Sequence, residues 1–299
     1  MSKLQSSALK TGNILDGTET AKAVREELAK EIETFKAAGK RAPGLAVILI
    51  GDNPASQVYV KNKVLACKKT GIESFMHQLP AQIDASEVLK LIDELNKRAD
   101  VDGILVQLPL PSGLPTDTIL EAVSPSKDVD GLHTQNMGLL LAGKAGLRPC
   151  TPKGIMVMLE RYGVQIEGKN ATVIGRSNLV GKPIAMMLLE KNATVKICHS
   201  KSKDLDKQCL DADILVVAAG RKEMVKGSWI KEGAVVVDVG IHKEELPDGQ
   251  SRLAGDVLFS EAKEIASQIT PVPGGVGPMT VAMLLANTLQ SYKTREKLN

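Results

Sequence analysis

The sequence predicts an α/β protein of two domains, and three features of its 299 residues support this fold class. Short, continuous apolar runs such as residues 45–50 indicate strands that are buried on both faces, as in a parallel sheet. Amphipathic helix patterns alternate with these runs, which is the order that builds a parallel sheet covered by helices. The length exceeds what one hydrophobic core usually serves, so we expect two packed domains.

The composition argues against a nucleic-acid partner. Aromatic residues make up only 2% of the chain, and the formal net charge is +3. A surface for single-stranded nucleic acid needs stacking rings, and a surface for duplexes needs a strong positive field. We therefore expect no nucleic acid among the partners.

The chain carries no signal for a membrane or for export. Residues 1–11 are polar and lack the apolar core of a signal peptide, and no run approaches the ~18 apolar residues of a membrane span. The four cysteines show no Cys-x-x-Cys pairing, and the four histidines show no metal-ligand spacing. We expect a cytoplasmic protein with reduced thiols, no membrane association and no bound metal.

The first half of the chain alternates between helix and strand patterns. The first predicted helix follows Asp16–Thr18, ends at Gly39 and has Val24, Leu28, Ile32 and Phe35 on one face. A strand at residues 45–50 then leads to a helix that carries Tyr59 and Lys63 and ends at Gly71. A strand at residues 74–79, a helix with Val88, Leu91, Ile92 and Leu95 on one face, and a strand at residues 103–108 complete this half.

Tyr59 and Lys63 are four residues apart, so a helix presents the phenol and the amine on one face. If that face lines a dry cleft, desolvation lowers the pKa of the lysine and suits it to proton transfer near neutral pH. Gln107 follows a strand whose carboxyl end lies where such sheets bind ligands, so it is placed to reach the amine. The spacing alone equally fits an amphipathic helix with a snorkelling lysine, and Gln107 equally fits a loop-supporting residue.

Asp128 and Asp130 lie two residues apart in a polar loop. We expect one carboxylate to face the cleft while the other supports the loop. Loop carboxylates are also commonly solvated or capping groups.

The second half repeats the alternation. The predicted elements are a helix with Thr151 as N-cap and Pro152 at its first position that runs to Tyr162, a strand at residues 171–174, a helix at residues 181–190, strands at residues 194–198, 214–218 and 234–239, a glycine- and proline-rich loop at residues 270–280, and a final helix that starts at Pro278 or Thr280.

A glycine turn links the strand at residues 171–174 to the following helix, which suits a pyrophosphate at the helix start. Gly175 and Gly181 are six residues apart, so the spacing departs from the usual dinucleotide pattern. The next strand runs into a basic turn with no carboxylate before Asp204, and Arg176 adds a positive charge. This favours the ribose phosphate of NADP over NAD, although a solvated basic turn fits equally well.

Glycines also end the two later strands of this half. Gly220 and Gly240 are expected where backbone approaches a ligand closely. Ile241 follows directly, where a nicotinamide face would pack, although ordinary core packing is the alternative.

Taken together, these motifs resemble the bifunctional methylenetetrahydrofolate dehydrogenase/cyclohydrolase family of the bacterial FolD type. They occur in the family's order across nearly the whole chain, and residues 1–12 look like a variable extension. The matching motifs are residues 59–63 (YVKNK), 103–111 (GILVQLPLP), 127–131 (KDVDG), 149–154 (PCTPKG), 175–177 (GRS), 180–183 (VGKP), 198–200 (CHS) and 273–280 (PGGVGPMT).

The resemblance implies a folate-binding domain at residues 1–150, joined by the final helix at residues 280–299, and a Rossmann-like NADP-binding domain at residues 151–279. It also implies a homodimer joined through the nucleotide domains. The implied reactions are the NADP-dependent oxidation of 5,10-methylenetetrahydrofolate to the methenyl form and its hydrolysis to 10-formyltetrahydrofolate. A dehydrogenase without hydrolysis, a shikimate-type or amino-acid dehydrogenase and a non-catalytic nucleotide-binding protein are the alternatives.

The resemblance also implies roles for single residues. Tyr59 would stack on the folate, Lys63 would transfer protons, Gln107 would hold Lys63, Asp130 would bind the pterin amino edge, and Asp128 would support the loop. The remaining implied folate contacts are Val106, Leu108, Pro273, Gly274, Gly275, Val276 and Gly277. The implied cofactor contacts are Gly175, Arg176, Ser177, Ser200 and Ile241.

Overall fold

The computed structural model describes residues 14–245 and 251–298, and the chain divides into two compact units. The first unit consists of residues 22–150 and 281–298. The second consists of residues 151–280, except the undescribed 246–250, together with residues 14–21. The expected N-terminal extension at residues 1–12 and the last residue of the predicted helix at 280–299 lie outside the described residues.

Three parallel strands in the order β2-β1-β3 form the sheet of the first unit. The central strand is buried along its whole length, as the continuous apolar run predicted. The elements up to the end of this unit are α1 (Gly17–Ala37), β1 (Gly44–Ile50), α2 (Pro54–Thr70), β2 (Glu73–Leu79), α3 (Ala85–Lys97), β3 (Gly103–Val106), α4 (Thr116–Glu121) and α5 (Thr134–Leu141).

Five parallel strands in the order β10-β7-β6-β4-β5 form the sheet of the second unit. Its order reverses beside β4, the kind of position where such sheets bind ligands. The remaining elements are α6 (Cys150–Arg161), β4 (Asn170–Ile174), α7 (Gly181–Glu190), β5 (Thr194–Cys198), α8 (Leu205–Cys209), β6 (Ile214–Val217), β7 (Val235–Asp238), β8 (His242–Glu245), β9 (Ser251–Ala254), α9 (Phe259–Ala262), β10 (Gln268–Ile269) and α10 (Val276–Glu296), with a 3₁₀ turn at Gly227–Trp229.

The C-terminal part of α10 belongs to the first unit and is held there by buried polar contacts. The Asn287 amide donates hydrogen bonds to the carbonyl oxygens of Val129 (2.7 Å) and Arg148 (2.8 Å). Arg295 donates to the carboxylate of Asp102 (2.7 Å), which is fully buried. The packing of the final helix on the first domain is confirmed.

Two predicted helix starts are wrong by a few residues, for the same physical reason. The helix expected to begin after Thr151 begins at Cys150, and the helix expected from Pro278 or Thr280 begins at Val276. In both cases the proline occupies the third helical position. The first-turn N–H groups of a helix have no intrahelical acceptor, so a proline is tolerated there.

Several short elements had no sequence signal. They are α4, α5, α8, α9, the antiparallel pair β8–β9 and the two-residue strand β10. The four cysteines are free and buried, as expected. Among the described helices, none combines the length and the apolar content that crossing a membrane requires.

Candidate active site

Lys63 and Gln107 meet in the first unit. The Lys63 Nζ donates a hydrogen bond to the Gln107 Oε1 at 2.9 Å. The Gln107 Nε2 donates to the Leu108 carbonyl oxygen at 2.6 Å, which fixes the amide with its oxygen towards the amine. The prediction that Gln107 reaches the Lys63 amine is therefore confirmed.

The backbone of two elements sets this contact. The side chain of Asn53 accepts a hydrogen bond from Ser56 N (3.0 Å) and caps α2, which ends at Gly71 with a φ of 80°. Gln107 lies just beyond β3, and its N–H still donates to the Ile48 carbonyl oxygen of β1 (2.9 Å). A helix cap and a strand end thus bring the two side chains together.

Burial changes the pKa of the Lys63 amine. Desolvation lowers the pKa of the amine, while the charge of Asp130 opposes the shift. Burial raises the pKa of Cys67 to about 12, so this sulfur stays a thiol at neutral pH. Lys63 therefore gives up its proton more readily than a solvated lysine does.

Asp130 responds to the same surroundings in the opposite sense. Burial raises its pKa, and the positive charge of Lys63 opposes this rise. Desolvation favours the neutral forms of Lys63 and Asp130. The charge of each group favours the ionised form of the other. The arrangement suits a group that exchanges protons and a carboxylate that binds a polar ligand edge.

Asp128 holds the loop that presents Asp130. Its carboxylate accepts hydrogen bonds from the backbone N–H groups of Gly131 (3.1 Å), Leu132 (3.2 Å) and His133 (2.9 Å). It also accepts one from the Asn136 amide at 2.8 Å. The expectation that Asp128 supports the loop is confirmed.

Tyr59 lies one helical turn before Lys63, and its side chain is 49% exposed. A half-exposed ring beside a buried amine offers a face for a flat ligand. Val106 is buried at the end of β3, and Leu108 is partly buried next to Gln107. Tyr59 shares a face of α2 with Lys63, and Leu108 adjoins the Gln107 that binds the amine.

The second unit carries the glycine turn between β4 and α7. Gly175 has a φ of 133°, and a Cβ added to it would lie 2.3 Å from the Ala218 carbonyl oxygen. A Cβ on Gly181 would lie 2.3 Å from the Gly175 carbonyl oxygen. Only glycine fits at both positions, so the turn keeps backbone at the start of α7, where a pyrophosphate is favoured.

Three side chains surround this turn. The Ser177 Oγ accepts hydrogen bonds from Val180 N (3.1 Å) and Gly181 N (3.4 Å), which orders the start of α7. Arg176 is exposed beside it, and Ser200 is exposed just after the neighbouring strand β5. These positions fit a dinucleotide, and the exposed cation fits a further phosphate.

Ile241 follows β7 in the same unit and is 49% exposed. A Cβ added to Gly277 would lie 3.6 Å from the Ile241 Cδ1, so Ile241 adjoins the first turn of α10. Gly274 accepts a hydrogen bond from Thr18 N at 2.9 Å, which anchors the loop that precedes this turn. The expected cofactor contact at Ile241 and the expected folate contact at Gly277 are therefore neighbours.

The structure corrects the prediction for Gly240. The sequence predicted a close approach to a ligand, but a Cβ on Gly240 would lie 2.4 Å from the backbone nitrogen of Asp256. The close neighbour is thus the protein itself. Sequence reasoning also missed Asp256 and its partners, because they are far apart in the chain and match no known spacing. In residues 14–245 and 251–298, no three His, Cys, Asp or Glu side chains are grouped to hold a metal ion.

A parallel sheet with a glycine turn for a dinucleotide, and a second parallel sheet with a buried lysine, define a nucleotide-dependent α/β enzyme. Two family models identify it further. Residues 15–130 match the catalytic domain of the tetrahydrofolate dehydrogenase/cyclohydrolase family, and residues 149–296 match the NAD(P)-binding domain of that family. The chain belongs to the tetrahydrofolate dehydrogenase/cyclohydrolase family.

Individual relatives agree with the family models. The bifunctional protein FolD of Oleidesulfovibrio alaskensis is 54% identical over 94% of this chain and 98% of its own. The crystal structure of the bifunctional enzyme FolD from Campylobacter jejuni is 49% identical, with a TM-score of 0.90 over 94% of this chain and 99% of its own. FolD from Trypanosoma brucei, complexed with NADP cofactor and inhibitor, is 38% identical, with a TM-score of 0.90 over 96% of this chain and 99% of its own.

Replacing Asp130 tests the electrostatics of Lys63. The Asp130 charge raises the pKa of the amine, so Asp130→Asn should lower that pKa further. An NMR titration of protein labelled with ¹³C,¹⁵N-lysine measures it, with Lys63→Met assigning the signal. The control Asp93→Asn removes an exposed carboxylate paired with Lys97 and should leave the pKa of Lys63 unchanged. A pKa of Lys63 that stays constant or rises in Asp130→Asn contradicts this account.

Proposed function

We propose that this protein oxidises 5,10-methylenetetrahydrofolate to 5,10-methenyltetrahydrofolate with NADP and then hydrolyses the product to 10-formyltetrahydrofolate. The protein is an oxidoreductase and a hydrolase by family. The main support for the hydrolysis is the hydrogen bond between Lys63 and Gln107. It holds an amine of lowered pKa at the carboxyl end of β3.

Lys63 is proposed as the proton-transfer group of the hydrolysis. The methenyl substrate is a cation, and attack by water on its one-carbon bridge releases a proton that a base must accept. An amine of lowered pKa is neutral in a larger fraction of molecules and can accept that proton. A cationic substrate beside the amine disfavours its protonated form still further.

Gln107, Tyr59 and Asp130 are proposed to place the folate and the lysine relative to each other. Gln107 holds the Nζ through its oxygen, because its own nitrogen is bonded to Leu108. The exposed face of Tyr59 stacks on the flat ring system. Asp130 accepts hydrogen bonds from the amino edge of the pterin, which resembles the amidine-like donor edge that carboxylates bind well.

The cofactor contacts are proposed at the glycine turn and the neighbouring strand ends. Gly175 and Ser177 shape the pyrophosphate site, Arg176 and Ser200 hold the ribose phosphate, and Ile241 packs on the nicotinamide. NADP supplies the hydride acceptor. The substrate needs little acid–base assistance in this step, so the protein's contribution is positioning and exclusion of water.

The neighbouring positions of Ile241 and Gly277 support a folate wall next to the nicotinamide subsite. The proposed wall consists of Pro273, Gly274, Gly275, Val276 and Gly277. Val276 is buried, so this segment offers backbone rather than large side chains to the substrate. Domain roles follow: a folate domain at residues 1–150 with the final helix, and a nucleotide domain at residues 151–279.

Two further properties belong to the same proposal. The protein acts as a homodimer joined through its nucleotide domains, and it works in the cytoplasm. The comparisons favour the bifunctional enzyme over a dehydrogenase without hydrolysis and over a binding protein without chemistry, since the relatives reported above are bifunctional FolD proteins.

Replacing Lys63 tests the hydrolytic half. Lys63→Met removes the only proton-accepting group placed in the hydrolysis, so cyclohydrolase activity should fall by roughly 10²-fold or more, with folate binding largely kept. The assay follows the loss of supplied methenyltetrahydrofolate by absorbance. Lys61→Met changes an exposed lysine of the same helix and should hydrolyse at the normal rate. Normal hydrolysis by Lys63→Met removes this residue from the mechanism.

Replacing Arg176 tests the cofactor preference. Arg176→Ala removes the exposed cation beside the glycine turn, so the KM for NADP should rise by about tenfold or more while the KM for NAD changes little. Lys191→Ala, at the opposite end of α7, serves as the control and should change neither. An equal rise for both cofactors would mean that Arg176 does not bind the ribose phosphate.

A further inference from the structure

Three loops leave the carboxyl ends of β4, β6 and β7 in the second unit. The turn at Gly175 follows β4, residues 218–221 follow β6, and residues 239–241 follow β7. These loops carry the proposed pyrophosphate and nicotinamide contacts. Beyond its first residue, a loop at this edge has no adjacent strand to bond its N–H groups, so its shape depends on other acceptors.

Asp256 supplies those acceptors for the loop after β6. Its carboxylate is fully buried and accepts hydrogen bonds from the N–H groups of Ala219 (2.6 Å) and Gly220 (2.9 Å) through Oδ2. The Oδ1 accepts one from Arg221 N at 2.9 Å. Three successive N–H groups therefore converge on one side chain.

Asp256 also contacts the loop after β7, and it reaches the turn after β4 through Ala218. Gly240, just before Ile241, packs so closely that a Cβ there would lie 2.4 Å from the Asp256 Oδ1. Ala218 directly precedes the three N–H groups that bind Asp256, and its own N–H donates to the Ile174 carbonyl oxygen (2.7 Å). Its carbonyl oxygen lies so near Gly175 that a Cβ there would be 2.3 Å away. A displacement at Asp256 is thereby transmitted to both subsites.

Two side chains keep the Asp256 carboxylate in place. His242 Nε2 lies 2.7 Å from its Oδ1, so the imidazole donates to the carboxylate. Asp238 accepts the backbone N–H groups of Asp256 and Val257, each at 2.9 Å. Burial raises the pKa of Asp238 to about 6, and the hydrogen bonds from these backbone N–H groups oppose that rise.

We propose that Asp256, held by His242, is a positioning residue for the dinucleotide: it orders the loops after β4, β6 and β7 so that they bind NADP. This inference rests on the proposed function for the identity of the ligand. Neither side chain needs to touch the cofactor. Their effect is to keep Gly175, Gly220 and Ile241 in the bound geometry before the cofactor arrives, which lowers the ordering cost of binding.

The chemistry of Asp256 makes the substitution Asp256→Asn informative. All four partners of the carboxylate are donors, and an amide offers them one oxygen and one NH₂ group. The donors that bind one of the two carboxylate oxygens would then face the NH₂ group, which is itself a donor. These buried donors would be left without an acceptor. The loop after β6 must rearrange to relieve this, and the cofactor subsites rearrange with it.

The experiment measures NADPH binding to the full-length protein by fluorescence, without folate. It is paired with hydrolysis of supplied methenyltetrahydrofolate, a reaction that needs no hydride transfer. In Asp256→Asn the Kd for NADPH and the KM for NADP should rise by about tenfold or more, while hydrolysis stays within about twofold of normal. His242→Ala removes only one of the four partners and should give a smaller rise in the same direction.

Asp213→Asn is the matched control. Asp213 also accepts a backbone N–H, that of Asn170 at 2.9 Å, but it lies at the amino end of the same sheet. Its substitution should leave NADPH affinity unchanged. An unchanged Kd in both Asp256→Asn and His242→Ala overturns the proposal. So does an equal fall in both activities with unchanged Kd, since that is the result of a purely structural role.

The test separates this inference from the proposed function. If the unsubstituted protein binds NADPH but reduces no NADP with methylenetetrahydrofolate, the proposed reaction fails and the binding comparison still decides the role of Asp256. Should Asp256→Asn fail to fold, His242→Ala carries the same comparison, because it keeps the carboxylate and its three backbone partners.

Discussion

Backbone N–H groups in the loops beyond the carboxyl ends of the parallel strands need acceptors, and buried carboxylates provide them in both units. Asp128 collects three N–H groups of residues 131–133 in the first unit. Asp256 collects three of residues 219–221 in the second. A carboxylate accepts several strong hydrogen bonds at once, so one side chain determines the course of a whole loop. Each candidate subsite lies on or beside such a loop.

This constraint explains how Lys63 obtains its environment. Asp128 is committed to the loop, which leaves Asp130 free to act on the amine by its charge, while Gln107 holds the Nζ. Desolvation moves the pKa of Lys63 downwards and the pKa of Asp130 upwards, and their mutual attraction limits both shifts. A lysine without this burial would be a solvated cation and a poor base at neutral pH.

The sequence predicted most of what depends on local pattern. Buried strands such as β1 and β6 are continuous apolar runs, and α7 and β5 have the predicted bounds. The starts of α6 and α10 were misplaced because a proline fits anywhere in a first turn. The pairing of Lys63 with Gln107 was predictable, since helix spacing and strand-end position both restrict it. The Asp256 network was not, because its partners come from two separate segments, residues 219–221 and 238–242, and form no motif.

Gly240 shows the limit of reading a glycine from sequence. Its small size was assigned to a ligand, yet the neighbour that requires it is Asp256. A glycine indicates that something approaches closely, and only the fold tells which group does so. By contrast, Gly175 was correctly placed at a backbone turn, because a strand and a helix flank it in the sequence.

The measurement that tests the central claim most directly is an absorbance assay with methylenetetrahydrofolate and either NADP or NAD. It follows the reduced cofactor and the methenyl product separately. The account predicts reduction that is faster with NADP, together with little accumulation of the methenyl form, because the protein hydrolyses what it produces. Reduction with a build-up of methenyl product would contradict the hydrolytic role of Lys63. No reduction with either cofactor would contradict the enzyme as a whole.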